Sequence, residues 1–254
     1  MKRGPSLALE RKRTSRRVAL VTGGAVRLGR TIVLERARAG CDVAVHYHAS
    51  REEADAVVAE ARAAGARAVA IRADLSRAAD PARLVERTIR AFGRLDLLVG
   101  SAANFLKVPF SETDAGIWDA AMDLNARANF LLARAAEKEL RARRGRVVLI
   151  SDLAARRFWK GYSAHAISKA AVEAVVRVLA RQLAPEVSVN GVAPGTILPP
   201  AGMRKDLVGK LVSEIPLRRC GTPEEIAAAV AFFCDGPAFV TGQVLTVDGG
   251  RSLY

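Results

Sequence analysis

The apolar run Val18-Ala19-Leu20-Val21 passes directly into Thr22-Gly23-Gly24-Ala25-Val26-Arg27-Leu28-Gly29, and no other stretch constrains the fold as strongly. A β-branched and aliphatic run that ends in glycines and opens into Thr31-Ile32-Val33-Leu34-Glu35 predicts strand, tight turn and helix. That corner suits the phosphate-holding turn of a dinucleotide-binding βαβ unit, although a glycine-rich turn alone also suits a plain helix cap. The glycines let backbone approach a pyrophosphate, and the helix start offers unpaired N–H groups and the positive end of its dipole. The partner this implies is a nicotinamide cofactor, and the chemistry is hydride transfer.

Strand-like runs alternate with helix-like segments along the rest of the chain. Val18–Val21, Asp42–Tyr47, Ala68–Arg72, Leu95–Val99, Val147–Ile150, Val187–Val192 and Val244–Val247 predict seven strands. Alanine-rich amphipathic segments such as Arg51–Ala64 and Pro81–Phe92 lie between them. Most of the strands are continuously apolar, as expected when helices cover both sheet faces. With 254 residues and no interdomain linker, the pattern predicts one α/β domain, a doubly wound Rossmann-type parallel sheet spanning 17–254. The stretch from Ala193 to Val212, with Pro194, Gly195, Pro199, Pro200 and Gly202, predicts a loop with a short helix, either a substrate cover or a surface crossover.

The formal charge is +14, of which the side chains of the first 17 residues carry +6. Residues 1–16 lack apolar periodicity and read as a basic, disordered tail, with no apolar segment behind it to make a secretory signal. Aromatic and basic residues do not interleave, and no recognition-helix motif occurs, so a nucleic-acid partner is not expected. No run approaches the roughly 20 apolar residues that span a membrane. Cys41, Cys220 and Cys234 are scattered without zinc or disulfide spacing, which points to no metal and to a reducing cytoplasm.

Thr22, Gly23, Arg27 and Gly29 form a Thr-Gly-x3-Arg-x-Gly pattern that resembles the short-chain dehydrogenase/reductase family and, within it, the pteridine reductases. The second strand ends in His46-Tyr47-His48-Ala49-Ser50 without the acid that accepts from an adenine ribose hydroxyl. The pteridine reductases have His-Tyr-His-Arg-Ser here, and Ala49 departs from that pattern. His48, Ser50 and Arg51, with Arg27, can instead donate to a 2′-phosphate, so the expected cofactor is NADPH. The resemblance places Leu28 in the first turn, and Asp74 with Leu75 against the adenine, although Asp74 also suits a cap. It places Ser101 and Ala102 beside the cofactor, within Gly100-Ser101-Ala102-Ala103 where most relatives have Asn-Asn-Ala-Gly. Asn125 matches the asparagine that supports the catalytic lysine, and Pro194-Gly195 the turn near the nicotinamide.

The segment Gly161-Tyr162-Ser163-Ala164-His165-Ala166-Ile167-Ser168-Lys169 departs from the family's Tyr-x3-Lys rule, with His165 at the tyrosine position and Lys169 retained. On a helix running through Tyr162, His165 falls about 40° and Tyr162 about 20° around from Lys169, so the three share a face. Tyr162 and Lys169 also have the Tyr-x6-Lys spacing of enoyl-acyl-carrier-protein reductases. Asp152 stands where most relatives have serine and pteridine reductases have aspartate, and Phe105 matches their pterin-stacking phenylalanine. Asp152, Tyr162 and His165 are therefore the candidate proton donors, and Phe105, Asp152 and Tyr162 the candidate substrate contacts.

The first expectation is a reductase of a conjugated C=N bond in a dihydropterin-like substrate. The alternatives are an enoyl- or 3-oxoacyl-thioester reductase, and a nucleotide-binding pseudoenzyme that has lost the tyrosine. Helices at Asp119–Ala142 and Ala164–Ala184 carry more apolar surface than one sheet face needs. That excess predicts a homodimer or homotetramer.

Overall fold

Three strands, β1 (Val18–Val21), β2 (Asp42–Tyr47) and β4 (Leu97–Gly100), are buried along their whole length, because helices close both faces of the sheet. The computed structural model describes residues 16–197 and 204–253. With β3 (Ala68–Arg72), β5 (Arg146–Ile150), β6 (Ser188–Pro194) and β7 (Val244–Val247) these strands form one parallel sheet in the order β3-β2-β1-β4-β5-β6-β7. The order reverses between β1 and β4, where Ala19, Leu20 and Val21 pair with Leu97, Leu98 and Val99. A doubly wound sheet opens its ligand crevice beyond the carboxyl ends of the strands at that reversal.

The first helices are α1 (Arg27–Arg38), α2 (Arg51–Ala63) and α3 (Asp80–Phe92). They are followed by α4 (Ala115–Met122), α5 (Ala128–Arg143) and the short α6 (Ala154–Arg157). The long α7 (Ser163–Leu183), then α8 (Lys205–Ser213) and α9 (Pro223–Asp235), complete the layers. One core joins β1, β2 and β4 to α1, α2 and α9 through residues such as Ile32, Val57 and Val230. The opposite core joins the sheet to α3, α5 and α7 through Leu84, Leu132 and Val176.

The single Rossmann-type sheet matches the expectation, with shifted strand ends. β4 begins at Leu97, after Leu95 and Asp96, and β6 runs on to Pro194. The predicted Asp119–Ala142 helix is interrupted: a π-helical turn, Asp123–Arg127, separates α4 from α5. Of the basic tail, residues 1–15 lie outside the described residues, as do Pro199, Pro200 and Gly202. The Arg16 Nε donates to the Gly40 carbonyl at 3.0 Å. Among the described residues no helix is long and apolar enough to cross a membrane.

Candidate active site

Thr22 ties the first turn across the reversal point. Its Oγ1 accepts the backbone N–H groups of Ser101 at 2.9 Å and Ala102 at 3.0 Å. Gly23 follows at φ +63°, and a Cβ there would stand 3.0 Å from the Ala102 Cα. A Cβ on Gly29 would sit 2.0 Å from the Gly23 carbonyl oxygen, so only glycine lets α1 start this close to the turn. Arg27 has φ +49°, a left-handed conformation costing a non-glycine residue on the order of 1 kcal/mol. The N-terminus of α1 has neither a side-chain cap bond nor an acid in its first turn. Its N–H groups therefore remain open to an anion, and the cradle fits the pyrophosphate of a dinucleotide.

At the carboxyl end of β2, His48 and Arg51 are exposed, and Ser50 begins α2 without using its hydroxyl as a cap. Asp74 Oδ1 accepts from the Ser76 N–H at 3.1 Å and hydroxyl at 2.6 Å, so the carboxylate caps its own turn. Those hydrogen bonds hold the Asp74 pKa below the usual range. Asp74 Oδ2 lies 3.2 Å from Arg77 Nε and 3.9 Å from His48 Nε2. Leu75 is buried in the core beside α3, and Leu28 packs on the core of α1. Pro194 ends β6, and its carbonyl accepts the Leu153 N–H at 3.0 Å. Gly195 is packed so tightly that a Cβ would stand 2.6 Å from the Asp248 Cβ.

The chemistry-bearing side chains meet where β5 ends and α7 begins. Lys169 is buried, and its Nζ donates to the Ile150 carbonyl at 3.0 Å. Burial pulls its pKa down to about 8 against the opposing pull of Asp152. Asp152 Oδ1 accepts the Ala154 N–H at 2.7 Å, leaving Oδ2 3.8 Å from His165 Nε2. His165 is 1 % exposed and its Nδ1 lies 3.1 Å from the Asn104 carbonyl oxygen. The Phe105 ring, 55 % exposed, packs 4.7 Å from the His165 ring and 4.8 Å from that of Tyr162.

Tyr162 departs from the predicted helical face. The helix begins at Ser163, with Tyr162 as its cap at φ −127° and ψ 28° after Gly161 at φ +80°. Its ring still lies 6.5 Å from the His165 ring, and the Gly161 carbonyl accepts the Val108 N–H at 2.8 Å, which ties the loop after Phe105 to this segment. Asn125 sits in the π-turn, which re-aims a side chain that a regular helix would place elsewhere. Its amide accepts from Asn104 N at 2.9 Å and donates to Asn104 O at 3.3 Å and Ser168 Oγ at 2.9 Å.

Three residues in these networks escaped the sequence reading as site residues. Asn104 and Ser168 bind Asn125, and His46 accepts the Gly23 N–H at Nδ1, 3.0 Å away. Asn104 has a signal in its place beside Phe105 and His46 in its place in the His46–Ser50 segment, whereas Ser168 emerges only from its contact with the distant Asn125. Among the described residues no three His, Cys, Asp or Glu side chains gather as a metal site.

A family model described as enoyl-(acyl carrier protein) reductase matches residues 24–252. A 3-oxoacyl-[acyl-carrier-protein] reductase from Synechocystis sp. is 35 % identical over 242 residues, covering 93 % of this chain and 97 % of that protein. A blue fluorescent protein from a metagenomic library, solved in complex with NADPH, superposes with a TM-score of 0.86 at 37 % identity. That match covers 92 % of this chain and 97 % of the other. A short-chain dehydrogenase/reductase from Serratia marcescens has a TM-score of 0.87 at 32 % identity, covering 93 % and 98 %.

Proposed function

This chain belongs to the short-chain dehydrogenase/reductase family of oxidoreductases, and from that premise we propose an NADPH-dependent reductase of a conjugated C=N bond in a flat, dihydropterin-like heterocycle. The observation that carries the substrate class is the pairing of Asp152, whose side chain is 25 % exposed, with the open ring of Phe105. A carboxylate accepts from the N–H edge of a heterocycle, and an exposed ring offers it a stacking surface. His165 occupies the place of the family tyrosine, four residues before Lys169.

The residues that would hold NADPH are those of the cradle. The start of α1 with Gly23, Arg27 and Gly29 faces the pyrophosphate, and His48, Ser50 and Arg51 supply donors for the 2′-phosphate. Ser101, Ala102, Pro194 and Gly195 line the strand ends toward the nicotinamide. When bound, the cofactor supplies the hydride. Lys169 contributes a buried cation below about pH 8, and Asn125 fixes the loop that carries Phe105.

The acyl-carrier-protein reductases among the relatives favour a second reading, reduction of a 3-oxoacyl or enoyl thioester with Tyr162 near the developing oxyanion. NADPH oxidation by the purified protein, measured with dihydropterins, 3-oxoacyl thioesters and enoyl thioesters, separates the two. Turnover confined to thioesters would replace the heterocycle reading.

We also infer a cytoplasmic homodimer or, in preference, a homotetramer. Trp118 on α4, Phe130 on α5, and Ile167 and Val178 on α7 are exposed on the helices that carry surplus apolar surface. Phe232 on α9, Phe239 in the connection that follows it and Leu245 on β7 expose a second apolar area. A strictly monomeric mass in light scattering at micromolar protein would refute the assembly.

A further inference from the structure

The contacts of His165 determine where its protons sit. Nδ1 lies 3.1 Å from the Asn104 carbonyl oxygen, which can only accept, so Nδ1 carries a hydrogen. The neutral ring is then the Nδ1–H tautomer, and Nε2 is left with a bare lone pair. Nε2 is buried without a hydrogen-bond partner and faces Asp152 Oδ2 at 3.8 Å. The other carboxylate oxygen is committed to the Ala154 N–H. Two acceptors thus confront each other, and the next proton taken up has its place between them.

The Asn104 carbonyl is itself held in register. Asn125 binds both the N–H and the C=O of Asn104, and donates to Ser168 Oγ. Ser168 Oγ in turn donates to the His165 carbonyl at 2.7 Å. Backbone and ring of His165 are therefore anchored by one connected network, which holds Nε2 toward Asp152 Oδ2.

We propose that His165 Nε2 delivers the proton in the reduction, that Asp152 holds and replenishes that proton, and that Asn125, through Asn104, and Ser168, through the His165 carbonyl, are positioning residues. The proposal rests on the reductase reading above. Hydride bonds to the substrate carbon, and the π pair of the C=N bond moves onto nitrogen. The Nε2–H bond breaks as its proton joins that nitrogen, and its electron pair stays on a neutral imidazole. The hydride carries two electrons to the substrate, and a solvent proton taken up by Asp152 passes to Nε2 and restores the imidazolium. The groups around this ring are Asp152 after β5, Lys169 further along α7, and Tyr162 and Phe105 from the flanking loops. Lys107 is 6.0 Å from the centre of the Tyr162 ring.

The chain has three histidines, so nitrogen chemical shifts of labelled imidazoles can be assigned in the wild-type protein. Neutral His165 should be the Nδ1–H tautomer. His46, which accepts at Nδ1 and donates from Nε2 to the Ala73 carbonyl, should be the opposite one. His165→Asn retains a side-chain N–H for the Asn104 carbonyl but removes Nε2. It should lower turnover about 100-fold or more, while the NADPH dissociation constant stays within about threefold. An Nε2–H tautomer at His165 overturns the proposal, as does a His165→Asn variant with near wild-type turnover. Failure of the wild type to oxidise NADPH with any of the three substrate classes refutes the reductase reading instead, and the tautomer still decides the proton placement.

Discussion

His46 Nδ1 accepts the backbone N–H of Gly23 at 3.0 Å, so an imidazole buried in β2 holds the first glycine of the phosphate turn. Its Nε2 donates to the Ala73 carbonyl at 3.2 Å, which joins the ends of β1, β2 and β3 through one ring. Burial pushes the His46 pKa down to about 4 and keeps the ring neutral, as an acceptor at Nδ1 requires.

Replacing His46 by leucine leaves the buried Ala73 carbonyl without its partner, at a cost of about 1–3 kcal/mol, and frees the half-buried Gly23 N–H at a smaller cost. The variant should melt several degrees lower and bind NADPH more weakly, as calorimetry and fluorescence titration would show. The same residue predicts acid sensitivity. Its folded pKa of about 4 lies below the ordinary 6.5, so the unfolded chain binds the proton first. Stability should therefore be lost as pH falls from about 6.5 through about 4, by about 3 kcal/mol from this group. Denaturant titrations across that range should show a smaller acid loss in His46→Leu, and an unchanged loss would exclude His46 as the cause.

Lys169 predicts a second pH window, on the alkaline side. Burial lowers its pKa from 10.5 to about 8, so the folded state binds this proton less readily than the unfolded chain. Stability is greatest above about pH 10.5 and is lost as pH falls through about 8, by about 3 kcal/mol. Keeping the ammonium charged at neutral pH therefore costs the fold stability. Comparing wild type with Lys169→Met at pH 8 and 10.5 isolates the contribution from other titrating groups. The variant should show a flatter profile and should lose turnover, since the buried cation that interacts with Asp152 is gone. Full activity without Lys169 would mean that the active site lies elsewhere.

The cofactor preference should reside in the end of β2. Arg51 is exposed at the start of α2, with Asp55 Oδ2 at 3.6 Å, an ion pair in solvent that holds it only weakly. Wild type should bind NADPH at least several-fold more tightly than NADH in titration calorimetry. Arg51→Glu places a negative charge near the expected 2′-phosphate and should weaken NADPH about tenfold with little change for NADH. Equal affinities in the wild type would remove the 2′-phosphate assignment.

The parts of this molecule legible in sequence are those with a local cause. Continuous apolar strands reveal a sheet covered on both faces, and Gly23 and Gly29 announce a close backbone approach before any coordinate is known. The turn at Asn125 was illegible, because the pattern from Asp119 onward is unbroken and nothing marks the extra residue of a π-turn. The seven-residue spacing to Lys169 places Tyr162 on a helical face, yet Gly161 ends the preceding turn and delays the helix to Ser163. The Asn104–His165 contact joins residues 61 apart in the chain, and neither periodicity nor a short motif can encode such a pairing.

The decision between substrate classes rests on Asp152 and Tyr162. Asp152 Oδ2 faces the ring of His165, whereas the Tyr162 ring packs on Phe105 at the outer end of the same cluster. In a C=N reductase the carboxylate serves both the heterocycle edge and the proton supply. Asp152→Asn should then cut turnover about 100-fold or more with NADPH affinity nearly unchanged, while Asp152→Glu recovers part of the loss. In an enoyl-thioester reductase the negative charge develops farther from the hydride acceptor, and the phenol is the group placed to meet it. Tyr162→Phe should then cause the larger loss, expressed in kcat more than in KM, because a contact made mainly in the transition state has been removed. Steady-state kinetics of the three variants on a dihydropterin and on the two thioester classes therefore separate the readings. A dihydropterin turnover that survives Asp152→Asn intact would remove the carboxylate from the chemistry and the heterocycle from the list of substrates.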